Sequence, residues 1–209
     1  MKLVIASDIH GSAKYCAELI EAFVTEEADK LILLGDILYH GPRNALPDGY
    51  DPKATAQMLN DLAGKVAAVR GNCDAEIDQA VLNFPIMADY ALLFCEGRTL
   101  FLTHGHLYEG DARPPLSDGD ILLSGHTHVP VCEERDGYTV CNPGSVSIPK
   151  EGSNRGYILI DGGTMIWKTL SGEEYMRYRI KKGRERSLTS AAFEAAKSMF
   201  GRIKARGEK

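Results

Sequence analysis

The chain has 209 residues, of which 44% are hydrophobic, so it can bury one sizeable core in a single domain or at most two small ones. No run of about 18 apolar residues is present, which excludes a predicted membrane span, and five scattered cysteines without a CxxC pair argue against a disulfide framework and favour a cytoplasmic protein. The net charge of −5 hides an asymmetry, because residues 176–209 carry 11 Lys and Arg but only 3 Asp and Glu.

The first third of the chain alternates strand and helix patterns. We predict strands at residues 2–6, 30–34 and 66–69, and helices at residues 12–27 and 52–63. This order is typical of βαβ units, so we expect a sheet that is parallel in its first half.

From residue 87 onward the pattern changes to short strands separated by turns. The predicted strands are residues 90–95, 99–103, 121–124, 129–134, 138–141, 156–160 and 165–169. Turn signals at Glu96-Gly97, Asp136-Gly137 and Asp161-Gly162-Gly163 predict β-hairpins. The sequence therefore predicts a mixed α/β architecture with two sheets or one large mixed sheet. Residues 187–204 again have a helical pattern.

Five predicted strands are each followed by side chains that can bind a metal ion. These residues are Asp8, His10, Asp36, Asn72, His104, His126 and His128. In open α/β sheets the carboxyl ends of the strands line the ligand crevice, so we expect these groups to converge. In Asp8-x-His10 and His126-x-His128 the extended period of two places both side chains on one face. Together these features predict a metal site.

The motifs DIH, GD, GNCD, THGH and GHTH resemble, in the same order, the pattern D-x-H, G-D, G-N-H, H and G-H-x-H of the calcineurin-like metallophosphoesterases. Segments such as SGHTHVPV and NPGSVSIPK are similar to the YfcE-type phosphodiesterases within that superfamily. The resemblance covers residues 1–165 and implies an α/β fold, a two-sheet β-sandwich of mixed sheets flanked by helices in an αββα arrangement. We assign residues 1–170 to this domain and residues 171–209 to a basic, partly helical C-terminal extension.

The resemblance also implies how the seven residues divide between two metal ions. The first set is Asp8, His10, Asp36 and His128; the second is Asp36, Asn72, His104 and His126. Oxygen and imidazole donors suit Mn²⁺, Fe²⁺, Zn²⁺ or Ni²⁺, and the resemblance implies Mn²⁺. Two ions about 3.5–4 Å apart can activate a bridging hydroxide that attacks a phosphoester. The implied function is a metal-dependent phosphodiesterase with a small diester substrate.

Cys73 is a departure from the superfamily pattern. Phosphomonoesterase members carry a histidine after the motif asparagine, and a thiol with a pKa of about 8.5 is a poor proton donor at pH 7. Cys73 therefore favours a diester substrate, and the YfcE-type branch shares it. Asp74, which would orient that histidine, is left without an assigned role. Arg43 is a candidate for binding a phosphate oxygen and His40 for supplying a proton.

Two other functions are compatible with the motifs. A phosphomonoesterase of the same superfamily is disfavoured by Cys73, and a non-catalytic scaffold that recruits partners is disfavoured because all seven positions hold competent donors. The acidic body disfavours a nucleic-acid substrate. The basic tail is expected to be solvated, with binding of nucleic acid or an acidic partner as the alternative. Because YfcE-type proteins associate, a homo-oligomer is expected.

Cys132 and Cys141 are linked by a prediction of strand register. If Asp136-Gly137 forms a two-residue hairpin turn, these two cysteines lie directly opposite each other. A cytoplasmic chain is expected to keep both thiols reduced, and a titration that finds fewer than five free thiols would contradict that expectation.

Overall fold

Two β-sheets packed face to face form the frame of the computed structural model, which describes residues 1–108, 112 and 114–183. The strands are β1 (Leu3–Ala6), β2 (Lys30–Leu33), β3 (Val66–Ala68), β4 (Tyr90–Cys95), β5 (Arg98–Thr103), β6 (Ile121–Leu123), β7 (Val131–Arg135), β8 (Tyr138–Asn142), β9 (Gly156–Asp161), β10 (Thr164–Thr169) and β11 (Glu174–Arg179). The helices are α1 (Ala13–Thr25), α2 (Pro52–Asn60) and the single turn α3 (Glu76–Gln79), with a 3₁₀ turn at Ala63–Lys65.

The first sheet has the strand order β11-β10-β9-β1-β2-β3. β1, β2 and β3 are parallel, and α1 and α2 lie in the connections between them, which confirms the predicted βαβ units. On the other side of β1 the strands β9, β10 and β11 are antiparallel.

The second sheet has the strand order β4-β5-β6-β8-β7. The three predicted hairpins are confirmed: β4 with β5 and β7 with β8 in this sheet, and β9 with β10 in the first. In the turns Glu96-Gly97 and Asp136-Gly137 both residues have positive φ, as a type I′ turn requires, with Asp136 at 48° and Gly137 at 91°.

β11 is absent from the sequence prediction, which assigns its residues to the extension. Its antiparallel pairing with β10 makes it part of the first sheet, and this corrects the assignment for residues 174–179. The strand was missed because the sequence EYMRYR mixes charged residues into the alternation, as expected for an exposed edge strand. The helix predicted at residues 187–204 lies outside the described residues.

The two central helices begin at side-chain caps. The Ser12 hydroxyl accepts a hydrogen bond from the backbone N–H of Tyr15 at α1, and Asp51 caps α2 by accepting one from Ala54 at 2.9 Å. In α1 the buried residues Cys16, Leu19 and Phe23 recur every three or four positions, so one face of the helix packs on the sheet.

The apolar core has two layers. One layer lies between the first sheet and the helices, with Val4, Leu19 and Leu59 as buried members. The other lies between the two sheets and includes Ile5 and Trp167, both fully buried. This second layer fixes the position of one sheet relative to the other.

The sandwich is confirmed, but the described helices cover only one side of it. Both α1 and α2 pack on the outer face of the first sheet. Among the described residues no helix covers the second sheet, where Tyr90, Leu92 and Phe94 of β4 are exposed. None of the described helices is both long and apolar enough to cross a membrane.

Candidate metal centre

The seven metal-capable side chains predicted from the sequence come together where strands of both sheets end. The first sheet carries Asp8, His10, Asp36 and Asn72, and the second carries His104, His126 and His128. The backbone N–H of His10 donates to the carbonyl oxygen of Asp36 at 2.9 Å, which joins the loops after β1 and β2. The backbone N–H of His126 donates to Asp8 Oδ2 at 3.1 Å, which joins the two sheets at the site.

One group of donor atoms surrounds Asp8. The Nε2 atoms of His10 and His128 lie 3.6 Å and 3.2 Å from Asp8 Oδ1 and 3.2 Å from each other. All three side chains are buried. Their donor atoms are close enough to share one ion.

A second group of donor atoms surrounds His104. Its Nε2 lies 3.0 Å from Asn72 Oδ1 and 3.2 Å from His126 Nδ1. Asp36 Oδ2 lies 3.5 Å from His104 Nε2 and 3.6 Å from His10 Nε2. Asp36 therefore stands between the two groups.

Backbone carbonyls orient the imidazole rings. The Nδ1–H groups of His10, His104 and His128 donate to the carbonyl oxygens of Tyr39, Leu34 and Ile148 at 2.8, 2.7 and 2.7 Å. Because a carbonyl oxygen only accepts, each Nδ1 carries the proton and each Nε2 points at the other donor atoms. The facing Nε2 atoms of His10 and His128 need a proton or a metal ion between them.

Electrostatics also favours positive charge at this position. Burial lowers the pKa of His10 and His104, but the carboxylates of Asp8 and Asp36 outweigh this effect. The pKa of both imidazoles is therefore raised, that of His104 to about 9. Burial raises the pKa of the two carboxyls, but the imidazoles bring it below its usual value for both. Within the described residues Asp8 Oδ1 is buried without a hydrogen-bond partner. Divalent cations fit this set of carboxylate, imidazole and amide donors, and their binding would release protons.

The turns that carry these side chains are tight. Five of the seven residues have positive φ: Asp8 (59°), His10 (50°), Asp36 (54°), His126 (66°) and His128 (63°). Glycine is required beside them, because a Cβ at Gly71 would lie 2.1 Å from Asp36 Oδ1 and one at Gly125 would lie 1.9 Å from Ser7 Oγ.

Asp74 holds two of the metal loops together. Its buried carboxylate accepts three backbone hydrogen bonds, from Asp36 at 2.8 Å, Ile37 at 2.8 Å and Gly71 at 2.7 Å. The side chain thus joins the turn that carries Asp36 to the turn that carries Asn72. Burial raises the pKa of Asp74 despite these hydrogen bonds.

Cys73 lies at the edge of the donor set. Its backbone N–H donates to Asp36 Oδ1 at 2.8 Å, and its sulfur accepts from the Asn72 amide at 3.2 Å. Burial and the Asp36 charge raise the pKa of the thiol. Its sulfur lies close enough to donor atoms of His10 and Asp36 to share an ion with them.

A cleft of 350 Å³ opens beside the donors. Arg43 and Asn44 line it, as does Lys150, which the sequence analysis did not single out. The motif NPGSVSIPK contains this lysine, but the sequence alone does not show that it faces the cleft. His40 is not brought to the cleft lining, because its ring packs edge-on against Tyr39 and Tyr50 at centroid distances of 4.8 and 5.3 Å.

Two serines of the segment NPGSVSIPK fix the position of Asp8. The hydroxyls of Ser145 and Ser147 donate to the backbone carbonyl of Asp8 at 2.8 and 3.1 Å. They follow the end of β8, so the strand-end rule that found the metal-capable residues could also have found them.

Residues 1–165 match the family model described as calcineurin-like phosphoesterase superfamily domain. The chain belongs to the calcineurin-like phosphoesterase superfamily. Phosphodiesterase YfcE of Escherichia coli strain K12 is 52% identical to it over 161 residues, which cover 77% of this chain and 88% of that protein. Members of this superfamily use divalent metal ions, and the donor set described above fits them.

Solved structures agree with this assignment. The structure of YfcE, a phosphoesterase from E. coli, matches with a TM-score of 0.83 and 46% identity over 87% of this chain and 100% of that chain. Zinc-bound wild-type Vps29 from Entamoeba histolytica matches with a TM-score of 0.56 and 21% identity over 87% and 100% of the two chains, which shows a shared fold alone.

Proposed function

We propose that the chain is a phosphodiesterase that hydrolyses small phosphodiesters with two divalent metal ions. The convergence of seven oxygen and nitrogen donors from five strand ends is the observation that carries this proposal. The similarity to a relative named phosphodiesterase, at 52% identity, supports the diester as the substrate class.

We assign the donors to the ions in two sets that share Asp36. The first set is Asp8, His10, Asp36 and His128; the second is Asp36, Asn72, His104 and His126. When bound, two such ions supply Lewis acidity and an activated water. Mn²⁺ is the proposed native metal, and Zn²⁺, Fe²⁺ and Ni²⁺ suit the same donors.

Basic side chains in the cleft are proposed to bind the substrate phosphate. Arg43 and Lys150 line a space of 350 Å³, which suits a small ester. An arginine fork can bind two phosphoryl oxygens at once, which would orient the phosphorus toward the metal ions.

The absence of an acidic side chain at position 73 supports a substrate with a good leaving group. The Cys73 thiol has a raised pKa, so it is a weaker proton donor than an imidazolium would be. A diester that releases a phenoxide needs no such donor, whereas a monoester of a simple alcohol does.

We further propose that the protein acts in the cytoplasm, because its five cysteines are free and no CxxC pair is present in the sequence. The acidic body is a poor match for long nucleic acids, so the basic tail is the proposed place for any contact with them. A homo-oligomer remains an expectation from the family resemblance.

The test is hydrolysis of bis(p-nitrophenyl) phosphate against p-nitrophenyl phosphate, repeated with each candidate metal after chelation. The wild-type protein is expected to hydrolyse the diester faster than the monoester. The variants Asp36→Ala and Asn72→Ala are expected to lose this activity. Glu21→Ala, at an exposed position on α1, is the matched control and should retain full activity. Equal or faster monoester turnover would overturn the diester assignment. Absence of turnover with any metal would favour the non-catalytic scaffold.

A further inference from the structure

Cys132 and Cys141 form a pair of thiols that the proposed hydrolysis does not use. They lie directly opposite each other in the antiparallel ladder of β7 and β8, which confirms the register predicted from the Asp136-Gly137 turn. The Cys132 side chain packs against the buried cluster between the sheets that contains Cys141. In the structure both are free.

The two cysteines differ in exposure. Cys141 is fully buried between the sheets, whereas Cys132 is half-buried on β7, the edge strand of the second sheet. The neighbouring Cys141 thiol lowers the pKa of Cys132 although burial opposes this. By contrast, burial raises the pKa of Cys16 to about 12, which makes that thiol unreactive. Cys132 is therefore placed to react first and Cys141 to react with it.

The geometry suits a disulfide after a small movement. Directly opposite residues in an antiparallel pair have Cβ atoms about 4.5–5.5 Å apart. A disulfide brings its Cβ atoms to about 3.8 Å, so the two strands need to approach by roughly 1 Å. Because Cys132 lies on an edge strand, it has a neighbouring strand on only one side to restrict that movement.

We propose that Cys132 and Cys141 are a reversible thiol–disulfide site that a hydroperoxide oxidises. The Cys132 thiolate attacks the O–O bond, forms a sulfenic acid and releases an alcohol or water. The Cys141 thiol then attacks that sulfur, the S–S bond forms, and a second water leaves. Two thiols and one hydroperoxide thus give one disulfide, one alcohol or water, and one water. A dithiol reductant reverses the reaction.

The bond would act on the metal centre through Asn142, which follows Cys141. The Asn142 amide donates to the carbonyl oxygen of Gly125 at 2.7 Å and to Thr127 Oγ1 at 3.1 Å, in the loop that carries His126 and His128. A shift of about 1 Å at reacting groups costs up to about 10²-fold in rate. We therefore expect oxidation to lower diester hydrolysis by about tenfold, a consequence that rests on the proposed function.

The site is tested on the full chain by treatment with hydrogen peroxide, alkylation of the remaining thiols and tryptic peptide mapping. Arg135 lies between the two cysteines, so trypsin separates them into peptides that stay joined only through a disulfide. We expect the two peptides to be joined by a disulfide in the oxidised wild-type protein and in the control Cys95→Ser. The joined peptides should be absent from Cys132→Ser. Dithiothreitol should separate it again.

The result that would overturn the site is oxidation that leaves Cys132 and Cys141 unjoined while other cysteines react. This readout does not depend on hydrolysis, so it stands if the proposed function fails. For the coupling, unchanged diester turnover in the oxidised wild-type protein would overturn the effect on the metal centre. Diester turnover that falls on oxidation of the wild-type protein but not of Cys132→Ser would support the coupling. Both proteins contain Cys73, so a loss caused by oxidation of Cys73 would appear in both.

Discussion

At the scale of single residues, the candidate metal centre uses backbone conformations that its residue types rarely adopt. Asp8, His10, Asp36, His126 and His128 all have positive φ. Such conformations cost on the order of 1 kcal/mol or more each for residues other than glycine. The serines after β8 fix the turn at Asp8, and the close backbone approach at Gly71 and Gly125 leaves no room for a side chain.

Asp74 is expected to matter through the loops it joins. Asp74→Ala removes three buried hydrogen bonds to a carboxylate and should lower the free energy of unfolding by about 3 kcal/mol or more. Urea denaturation of the chelated protein measures this without any contribution from metal ions. Asp51→Ala, which removes a single helix-cap bond, is the comparison and should lose about 1 kcal/mol. Equal losses would contradict the proposed positioning role of Asp74.

Cys73 is expected to set the choice between diester and monoester. An imidazole in its place could donate a proton to the leaving group, and general acids contribute about 10²-fold or more to rate. Cys73→His should therefore raise kcat/KM for glycerol phosphate, a monoester of a simple alcohol, relative to bis(p-nitrophenyl) phosphate by about tenfold or more. Cys73→Ser, which also lacks an acidic group, is the control and should leave the ratio unchanged. A ratio that stays the same in Cys73→His would show that the leaving group needs no donor.

The sequence predicts the metal-capable residues of the site better than the residues that position them. Metal-capable residues stand out at strand ends, and the motif order identifies them. The roles of Asp74 and Lys150 could not be predicted, because they depend on which backbone amides and which cleft wall face a side chain in space. His40 was a candidate proton donor on the expectation that its loop closes over the site, but aromatic packing keeps its ring off the cleft lining.

At the scale of elements, β10 connects the core to the metal centre. The buried indole N–H of Trp167 donates to the carbonyl oxygen of Asn142 at 2.7 Å, which joins the first sheet to the end of β8. Trp167→Ala should lower the free energy of unfolding by about 3–5 kcal/mol through lost packing. Trp167→Phe keeps most of the ring and should lose about 1–3 kcal/mol, chiefly the hydrogen bond. Chemical denaturation measures the free energy of unfolding of both variants. Equal losses in Trp167→Ala and Trp167→Phe would assign the whole loss of stability to the hydrogen bond.

Strands and helices with a clear periodicity were predictable, and the exceptions have physical reasons. Turns such as Asp136-Gly137 set both ends of their hairpins, because the residues themselves favour positive φ. β11 was not predictable from its own sequence, since an edge strand with charged residues depends on its pairing with β10. The strand order of the two sheets depends on contacts far apart in the chain, which periodicity does not contain.

At the scale of the whole molecule, the proposed metal ions would join the two sheets. Asp8, His10, Asp36 and Asn72 come from the first sheet, and the three other histidines come from the second. Ions bound by both sheets stabilise the folded state, because the unfolded chain does not hold the donors together. Metal binding and sheet packing should therefore be coupled.

Thermal unfolding measures this coupling. Mn²⁺ at about 100 times its Kd should stabilise the protein by about 2.7 kcal/mol and raise Tm by roughly 5–10 °C. Asp36→Asn, which removes the bridging charge, should show a much smaller rise, and Asp48→Asn, at an exposed position, should behave as wild type. An equal Tm rise in all three proteins would show that the ion binds elsewhere.

The most direct test of the metal centre is anomalous diffraction at the manganese edge from crystals grown with Mn²⁺. Two peaks are predicted, one contacting Asp8, His10 and His128 and the other contacting Asn72, His104 and His126, with Asp36 touching both. A single peak, or peaks away from these side chains, would contradict the dinuclear centre on which the proposed hydrolysis depends.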